Sequence, residues 1–443
     1  MIRKFFGTDG IRGVVNKALS AELAMAVGRA AVAVLPGNSP RILIGRDTRI
    51  SGSMLEAAMV AGINSAGGAT ISAGVIPTPA VASLAIIEGA AAGAVISASH
   101  NPYQDNGIKF FGASGFKFSD AQEMEMERYL AGEESMPALP ASPGRGLVLE
   151  RPVAAYLDKL LAGFDLDLSG LSILVDCANG ATFCSAPLAL KQLGAKVAVI
   201  NARPDGFNIN RGCGSTHIGA LRSAVQANGF DLGLAYDGDG DRVIAVDGSG
   251  GVVDGDFIMA VCGKYLQEKG QLPRNTIVTT VMTNLGFHLA MKELGIDVLT
   301  TDVGDRYVLE EMLAGGYGFG GEQSGHIINL KTSTTGDGLA TSLLLLQVLS
   351  ETGQPLGKLA RVMRRLPQKL VNVQVENRQA FDGKTEIWDK IEEQEGRLKG
   401  EGRILVRPSG TEPVVRVMVE AASARLCSEI CENIATAIEK NLG

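Results

Sequence analysis

Runs of β-branched and other apolar residues alternate with helical patterns through the first part of the chain. The runs at 41–47, 69–78 and 93–99 predict strands, and the segments between them, 53–67 and 80–89, predict helices. Strands separated by helices of this length form a parallel or mixed sheet that is covered on both faces. The first part of the chain is therefore predicted to be an α/β domain.

The alternation resumes after a polar segment at 136–146, which contains three prolines and indicates a boundary. Two more units of strands and helices follow, and the end of the chain changes to alternating strands with an amphipathic helix. We therefore predict an α/β fold, with three similar mixed α/β domains and a smaller C-terminal α+β domain. The predicted domain ranges are 1–150, 151–254, 255–366 and 367–443.

Composition narrows the classes of function. The net charge is −7 and aromatic residues are sparse, so binding to nucleic acid is not expected. The six cysteines show no Cys-x-x-Cys spacing, which argues against a disulfide framework or a zinc site. The N-terminus lacks the apolar segment of a signal peptide, and no apolar run is long enough to span a bilayer. We therefore expect a cytoplasmic protein that does not contact a membrane.

The strongest chemical signal is the motif DGDGDR at 237–242, between two predicted strands. Asp237, Asp239 and Asp241 alternate with glycines and can direct their oxygens at one point, as Mg²⁺ requires. An EF-hand is excluded because Arg242 and Gly248 stand where that loop needs Gly and Glu. The remaining alternative is an acidic turn, but three clustered carboxylates without a cation would repel each other.

A second motif, SASHNP at 97–102, follows a predicted buried strand. Ligands of α/β proteins bind at such strand ends. Ser99 fits either a covalent nucleophile or a helix cap, and spacing alone does not decide between these interpretations. His100 has no acidic neighbour in sequence and G-x-S-x-G is absent, so a Ser-His-Asp triad is not indicated.

A third motif, GGEQSGH, occupies residues 320–326. Its glycines allow the backbone to approach a ligand, and Glu322 and Ser324 could bind adjacent sugar hydroxyls. An ordinary glycine-rich loop explains the same pattern equally well.

A fourth motif, RPSGTEP, occupies residues 407–413 and is followed by Arg416. Arginine, hydroxyls and an accessible glycine backbone are typical of a phosphate site, although a tight turn between strands would also use these residues. No Walker A sequence is present, so an NTP-binding P-loop is not indicated.

Taken in order, five motifs resemble the α-D-phosphohexomutase superfamily: GTDGIRG, SASHNP, DGDGDR, GEQSGH and RPSGTEP. They are spread over essentially the whole chain. With Gln323 at its third position, the motif GEQSGH resembles that of the bacterial branch that acts on glucosamine phosphates. Relatives that act on mannose or glucose phosphates tend to carry Met at this position. The segments VGDRYV (303–308) and 97–120 resemble the same branch.

The resemblance implies four domains around a central cleft and a role for each motif. Ser99 matches the serine that is phosphorylated in the active enzyme, and its phosphate would join Asp237, Asp239 and Asp241 as an Mg²⁺ ligand. Glu322 and Ser324 match the sugar-binding loop. The residues matching the loop that holds the non-transferred phosphate are Arg407, Ser409, Gly410 and Thr411, with Arg416 close by.

The implied activity is the interconversion of glucosamine 6-phosphate and glucosamine 1-phosphate, through a phosphoserine and a 1,6-bisphosphate, which supplies UDP-N-acetylglucosamine synthesis. Arg242 and Lys109 would neutralise the transferred group. Lys109 and His326 are candidates for proton transfer, and Arg12 is a further catalytic candidate. Ser97 is a candidate for tuning sugar preference.

The resemblance also implies Mg²⁺ as cofactor, glucosamine or glucose 1,6-bisphosphate as activator and a small phosphosugar as substrate, and it is compatible with a homodimer. One alternative is phosphomannomutase or phosphoglucomutase activity. Another is a non-catalytic sugar-phosphate sensor, against which Ser99 and the three carboxylates argue.

Overall fold

The computed structural model describes residues 4–7, 9–399, 401–408 and 413–443, and it contains four sheets. By their contacts the residues form two units. One contains residues up to 281 together with 296–361, and the other contains 282–295 together with 362–443. The first three sheets lie in the first unit, and the fourth lies in the second.

The first sheet has seven strands, which are β1 (Phe6–Gly7), β2 (Gly10–Val14), β3 (Arg41–Arg46), β4 (Ala69–Val75), β5 (Ala92–Ile96), β6 (Asp105–Gly112) and β7 (Gly146–Val148). Its helices are α1 (Ala21–Val34), α2 (Gly52–Ser65), α3 (Thr78–Ile87) and α4 (Asp120–Ala131). The spatial order is β1-β2-β6-β5-β3-β4-β7. Strands β5, β3, β4 and β7 are parallel, whereas β6, β2 and β1 are added antiparallel. The fully buried β5 therefore delivers the segment 97–104 to the carboxyl edge of the parallel strands.

Local sequence determines several helix ends in this sheet's domain. The hydroxyl of Ser20 accepts from the backbone N–H of Leu23 and caps α1. Ser119 and Gln122 form a capping box at the start of α4, and Gly132, with φ of 74°, ends this helix.

The second sheet has five strands, which are β8 (Ser172–Asp176), β9 (Lys196–Ile200), β10 (Leu232–Tyr236), β11 (Val243–Asp247) and β12 (Val252–Val253). Its helices are α5 (Pro152–Leu161), α6 (Thr182–Gln192) and α7 (Gly219–Asn228). The spatial order is β12-β11-β10-β8-β9. Strands β10 and β11 are antiparallel neighbours. The DGDGDR motif therefore forms the connection between two fully buried strands.

The third sheet has four strands, which are β13 (Thr276–Thr280), β14 (Asp297–Thr301), β15 (Phe319–Gly321) and β16 (Ile327–Asn329). Nearby helices are α8 (Gly255–Glu268), α9 (Leu285–Glu293), α10 (Asp305–Gly315), α11 (Gly338–Thr352) and α12 (Leu356–Leu359), with short 3₁₀ turns at Pro273–Asn275 and Ala360–Val362. The order is β14-β13-β15-β16, and β15 and β16 are antiparallel. The connection between β15 and β16 carries Glu322, Ser324 and His326.

The fourth sheet is antiparallel, with β17 (Gln368–Gln374), β18 (Arg403–Pro408) and β19 (Val414–Glu420) in the order β17-β19-β18. It is accompanied by α13 (Thr385–Leu398), α14 (Ala424–Leu442) and a 3₁₀ segment at Arg378–Gly383. The apolar faces of β19 and α14 form one core, which includes Val417, Val419, Ile430 and Ile434. This core lies in the second unit, which also includes residues 282–295.

Glu420, at the end of β19, ties α9 to the fourth sheet. Its buried carboxylate accepts from Nδ2 of Asn284 at 2.7 Å and from the backbone N–H of Leu285 at 3.0 Å. It also pairs with Nε of Arg403 at 2.6 Å. A carboxylate at a helix N-terminus is favourable. Helix α9 therefore packs with the C-terminal unit, although it lies between β13 and β14 along the chain.

The predicted fold class is confirmed, with three mixed sheets and a smaller C-terminal α+β domain. Each sheet falls within one predicted range, and the domain boundaries themselves stay a prediction. Within the part of the chain that the structure describes, no helix is both long and apolar enough to cross a bilayer.

Candidate active site

Ser99 lies just after β5 in a turn that presents its hydroxyl to the acidic connection. Its φ is 51°, in the left-handed region that residues other than glycine rarely adopt. Its Oγ donates to Oδ2 of Asp237 at 2.6 Å, and the residue is buried. The segment 100–104 leads directly into β6, so Ser99 does not cap a helix. The helix-cap interpretation is therefore wrong, and the nucleophile interpretation stays a prediction.

The three aspartates of DGDGDR form one buried cluster. One oxygen from each of Asp237, Asp239 and Asp241 lies within 4.8 Å of the other two. Burial and the charges of Asp241 and Asp239 raise the pKa of Asp237 well above its ordinary value. Oδ1 of Asp239 is buried and has no hydrogen-bond partner among the described residues. A buried, unpaired oxygen within a three-carboxylate set fits a hard divalent cation such as Mg²⁺.

Gly238 allows the serine turn and the acidic connection to approach each other. A Cβ at this position would lie 2.5 Å from the carbonyl oxygen of Ser99 and 2.7 Å from Nδ2 of Asn210. Both contacts are shorter than atoms tolerate, and one is to backbone, so a side chain here would separate the two segments. Gly238 therefore allows the close approach of the serine turn, in addition to separating Asp237 from Asp239 in the motif.

Cations balance the cluster on the side of β6. Nζ of Lys109 lies 3.1 Å from Oδ2 of Asp239 and 3.5 Å from Oδ2 of Asp241. Although burial acts in the opposite direction, Asp239 and Asp9 raise the pKa of Lys109 above its usual range. Lys109 is therefore a cation that can donate hydrogen bonds to negative oxygens nearby.

Asp9 extends this charged network towards Arg12. Although burial opposes ionisation, Lys109, Lys117 and Arg12 hold the pKa of Asp9 well below its usual range. Arg12 pairs with Asp9, and its side chain is 32% exposed. Lys117 bridges Asp9, at 2.6 Å, and Asp305 at the start of α10. The predicted catalytic candidate Arg12 is thus joined to Lys109 through a carboxylate that sequence analysis did not single out.

His326 reaches the cluster from the connection between β15 and β16. Its Nδ1 lies 3.5 Å from Oδ1 of Asp241, and its Nε2 lies 3.3 Å from Oδ2 of Asp305. Although burial acts in the opposite direction, Asp241 raises the pKa of His326. The backbone N–H of Gly336 also donates towards Nε2 at 3.2 Å. These contacts place the ring of His326 against the acidic motif.

The candidates for sugar binding, Glu322, Ser324 and Arg242, lie next to His326 along the same two connections. The backbone N–H of Val243 donates to the carbonyl of Gly325 at 3.2 Å, which joins the two connections. Oγ of Ser324 is 3.5 Å from Oε2 of Glu322, and both side chains are half-buried. Although burial acts in the opposite direction, Asp241, Asp237 and Glu322 raise the pKa of Arg242. Glu322, Ser324 and Arg242 thus form one polar surface that continues from the carboxylate cluster.

The phosphate-binding candidates lie in the C-terminal unit. Arg407 on β18 and Arg416 on β19 are directly opposite each other in the sheet. Both line a small cavity together with Met282, Leu405 and Met418. Two neighbouring arginines bring positive charge together on one side of the sheet, which is typical of a site for an anion such as phosphate. Ser409, Gly410 and Thr411 lie outside the described residues.

Asp337 caps the helix whose first residue is hydrogen-bonded to the acidic motif. Its Oδ1 accepts from the backbone N–H of Ala340 at 2.9 Å and caps α11, and the hydroxyl of Tyr156 donates to its Oδ2 at 2.8 Å. The next residue, Gly338, donates its N–H to the carbonyl of Gly240 at 3.0 Å. The start of α11 is therefore bonded to the backbone of the DGDGDR motif.

We expect Asp337→Asn to remove a pH dependence of folding. Burial raises the pKa of Asp337 from 3.8 to about 6. The contribution of this group to stability is therefore full below about pH 4 and is lost as pH rises through about 6. As pH rises from about 4 to above 6, the free energy of unfolding of the wild type should therefore fall by up to about 3 kcal/mol relative to that of the variant. Urea unfolding without metal measures both free energies. Parallel stability profiles of variant and wild type would contradict this expectation.

Four family models match the chain in order. Their descriptions name the alpha/beta/alpha domains I, II and III and the C-terminal domain of phosphoglucomutase/phosphomannomutase, at residues 3–136, 154–250, 254–366 and 370–437 respectively.

Curated relatives match over almost their full length. A phosphoglucosamine mutase of Desulforudis audaxviator is 53% identical over 97% of this chain and 96% of its own. A phosphoglucosamine mutase of Pelotomaculum thermopropionicum is 54% identical over 98% and 99%.

Solved structures share the fold. A phosphoglucomutase/phosphomannomutase family protein of Burkholderia thailandensis has a TM-score of 0.82 at 23% identity, over 99% of this chain and 98% of its own. The N-acetylphosphoglucosamine mutase of Aspergillus fumigatus, in complex with GlcNAc-6P and magnesium, has a TM-score of 0.70 at 18% identity, over 99% and 96%. Because four consecutive models and relatives more than half identical agree along the chain, it belongs to the phosphoglucomutase/phosphomannomutase family of the α-D-phosphohexomutase superfamily.

Proposed function

We propose that this chain interconverts glucosamine 6-phosphate and glucosamine 1-phosphate, as an intramolecular phosphotransferase of the isomerase class. The observation that carries the proposal is the buried hydroxyl of Ser99, 2.6 Å from Asp237 and beside two further carboxylates. The choice of sugar is supported by the relatives named phosphoglucosamine mutase, at 53% and 54% identity. In this role the enzyme supplies the synthesis of UDP-N-acetylglucosamine.

In the proposed reaction, Oγ of Ser99 carries a phosphoryl group and gives it to the free hydroxyl of the sugar phosphate. The bond from phosphorus to Oγ breaks as the bond to the sugar oxygen forms, and the hydroxyl proton leaves to an acceptor in the site. The resulting 1,6-bisphosphate turns over and returns its other phosphoryl group to Ser99. The phosphoserine is thereby restored, the sugar oxygen that lost its phosphoryl group takes up a proton, and the sugar leaves with its phosphate moved.

Asp237, Asp239 and Asp241 are proposed to hold Mg²⁺, which when bound withdraws negative charge from the phosphoryl oxygens. Lys109 and Arg242 add positive charge on two sides of the same cluster and can stabilise the charge that builds up during transfer. Lys109 and His326 stay the candidates for proton transfer. Because Lys109 is a cation, it can give a proton to a leaving oxygen but cannot accept one, so His326 in its neutral form is the proposed acceptor. Arg12, which pairs with Asp9, stays a further catalytic candidate.

Glu322 and Ser324 are proposed to bind the sugar hydroxyls, since their side chains continue the polar surface next to His326. Arg407 and Arg416, with Ser409, Gly410 and Thr411, are proposed to hold the phosphate that is not transferred. The opposed arginines of β18 and β19 support this assignment. A glucose 1,6-bisphosphate complex of the Aspergillus fumigatus enzyme supports a bisphosphate as activator.

Two further proposals concern the cell and the assembly. All six cysteines are free thiols, which is usual in a reducing compartment, and we propose a cytoplasmic location. A homodimer, and the lack of nucleic-acid and membrane partners, stay predictions that light scattering and binding assays can test.

The substrate proposal is tested by comparing kcat/KM for the 6-phosphates of glucosamine, glucose and mannose. We expect glucosamine 6-phosphate to be preferred, with the other two turned over more slowly by the same serine. A clear preference for mannose 6-phosphate would instead establish the phosphomannomutase alternative. Binding of all three without turnover would establish a sugar-phosphate sensor.

A further inference from the structure

Arg49 is a completely buried arginine beneath the turn that carries Ser99. All five N–H groups of its guanidinium donate to acceptors. The acceptors are Oδ2 of Asp47 at 2.8 Å and the backbone carbonyls of Ser99 (2.9 Å), Asn101 (2.9 Å), Asp105 (3.0 Å) and Pro102. The segment 99–105 is thus folded around a single planar cation.

This arrangement is specific to arginine. A lysine ammonium has three donors and no planar fork, so it could not serve the same five acceptors. Asp47 balances the buried charge, and four of the five bonds go to one short segment. The guanidinium therefore acts as a template for the backbone of the serine turn.

Asn210 ties the same turn to the domain that carries the acidic motif. Its Nδ2 donates to the carbonyls of Ser99 at 2.9 Å and Asn101 at 3.0 Å. Its own φ is 58°, and its backbone N–H donates to the carbonyl of Ala178 at 2.9 Å. The carbonyl of Ser99 therefore accepts from both domains at once.

The backbone N–H of Ser99 is also held. It donates to Oγ of Ser97 at 2.9 Å, and that hydroxyl in turn donates to Oδ2 of Asp47 at 2.6 Å. These contacts point to a supporting role for Ser97 rather than a role in sugar preference. Both peptide groups of Ser99 are thus fixed, which is what a left-handed serine needs in order to persist.

We propose that Arg49 and Asn210 are positioning residues for phosphoryl transfer. They hold Ser99 in the left-handed conformation in which its Oγ points at Asp237, and they keep the serine turn aligned with the acidic motif of the neighbouring domain. The inference rests on the proposed function, because it concerns the serine that carries the phosphate. Neither side chain is exposed to the surface that would bind sugar, since 1% of Arg49 and 7% of Asn210 is accessible.

The proposal predicts that transfer slows while sugar binding is kept. Asn210→Gly removes only the amide, because glycine readily adopts a φ of 58°. Arg49→Lys keeps the charge and removes two donors. For both variants we expect kcat to fall about 10- to 100-fold, with KM within about threefold of the wild type. The rate at which glucose 1,6-bisphosphate phosphorylates Ser99, followed by intact mass, should fall by the same factor as kcat.

Two matched substitutions control for general destabilisation. Arg41→Lys alters another arginine that donates to two backbone carbonyls, those of Glu88 and Gly89. Asn275→Gly alters another left-handed asparagine, with φ of 52°, in the third sheet's domain. Both should keep kcat and the rate of Ser99 phosphorylation within about twofold of the wild type. Arg41 begins β3 and Asn275 precedes β13, so both lie at amino ends of strands, whereas the serine turn follows the carboxyl end of β5.

Different results would contradict the positioning role of Arg49 and Asn210 and the proposed mutase function. A folded Asn210→Gly variant with unchanged kcat and phosphorylation rate would overturn the positioning role, as would a rise in KM alone. If Arg49→Lys does not fold, the kinetics of Asn210→Gly still test the positioning role. A fall in kcat that is equally large in the Asn275→Gly control would also contradict the proposal. A wild-type protein that takes up phosphate at Ser99 but turns over no hexose phosphate would refute the proposed function instead.

Discussion

Replacing Ser99 with alanine is expected to reduce turnover of glucosamine 6-phosphate by at least about 10⁴-fold, because the side chain that accepts and returns the phosphoryl group is removed. The wild type should gain the mass of one phosphoryl group on incubation with glucose 1,6-bisphosphate, and the variant should gain none. Ser99→Gly should behave in the same way, and it accommodates the φ of 51° at this position without strain.

Ser39→Ala is the matched control for the serine substitution. Ser39 is exposed in the first domain, and its hydroxyl donates only to the backbone, at the carbonyl of Gly67. We expect its turnover and phosphate uptake to equal those of the wild type. Turnover within tenfold of the wild type in Ser99→Ala would mean that the sugar phosphates exchange phosphate by a route that does not use this serine.

Replacing Asp239 with asparagine is expected to lower the affinity for Mg²⁺ by about 100-fold, because a buried carboxylate oxygen without a hydrogen-bond partner becomes a neutral amide. Binding can be read from stability. Mg²⁺ at a hundred times its Kd should stabilise the wild type by about 2.7 kcal/mol, and at the same concentration the variant by only about 0.4 kcal/mol. Turnover should fall in parallel, and a chelator should abolish both the stabilisation and the activity of the wild type.

Asp165→Asn is the matched control for this substitution, since Asp165 is exposed in the same domain. It should keep both the Mg²⁺-dependent stabilisation and the turnover of the wild type. If Asp239→Asn were stabilised by Mg²⁺ as strongly as the wild type, the cluster of Asp237, Asp239 and Asp241 would not be the site of the metal.

Much of the first domain could be predicted from the sequence. The patterns at 41–47, 53–67 and 69–78 correspond to β3, α2 and β4, because buried parallel strands appear as continuous apolar runs. Strand β6 was not predicted. It contains Asn106 and Lys109, two buried polar residues that interrupt the apolar pattern, and Lys109 pairs with Asp239 and Asp241 of the site.

The chemistry was predicted where its residues lie close together along the chain. Asp237, Asp239 and Asp241 are two residues apart, so the sequence itself indicates that they cluster. The partner of Ser99 could not be read in this way, because Asp237 lies 138 residues further along the chain. The network that joins Asp9 to Lys117 and Asp305 was missed for the same reason.

The sequence by itself determined the fold class, the acidic motif, the serine at a strand end and the family. These depend on short-range periodicity and on local motifs, which fold in a similar way in any context. Only the tertiary structure decided that Arg49 and Asn210 hold the serine turn and that His326 reaches Asp241. It also decided that α9 packs with the C-terminal sheet. Each of these contacts joins segments that lie far apart along the chain, and the packing of the folded chain brings them together.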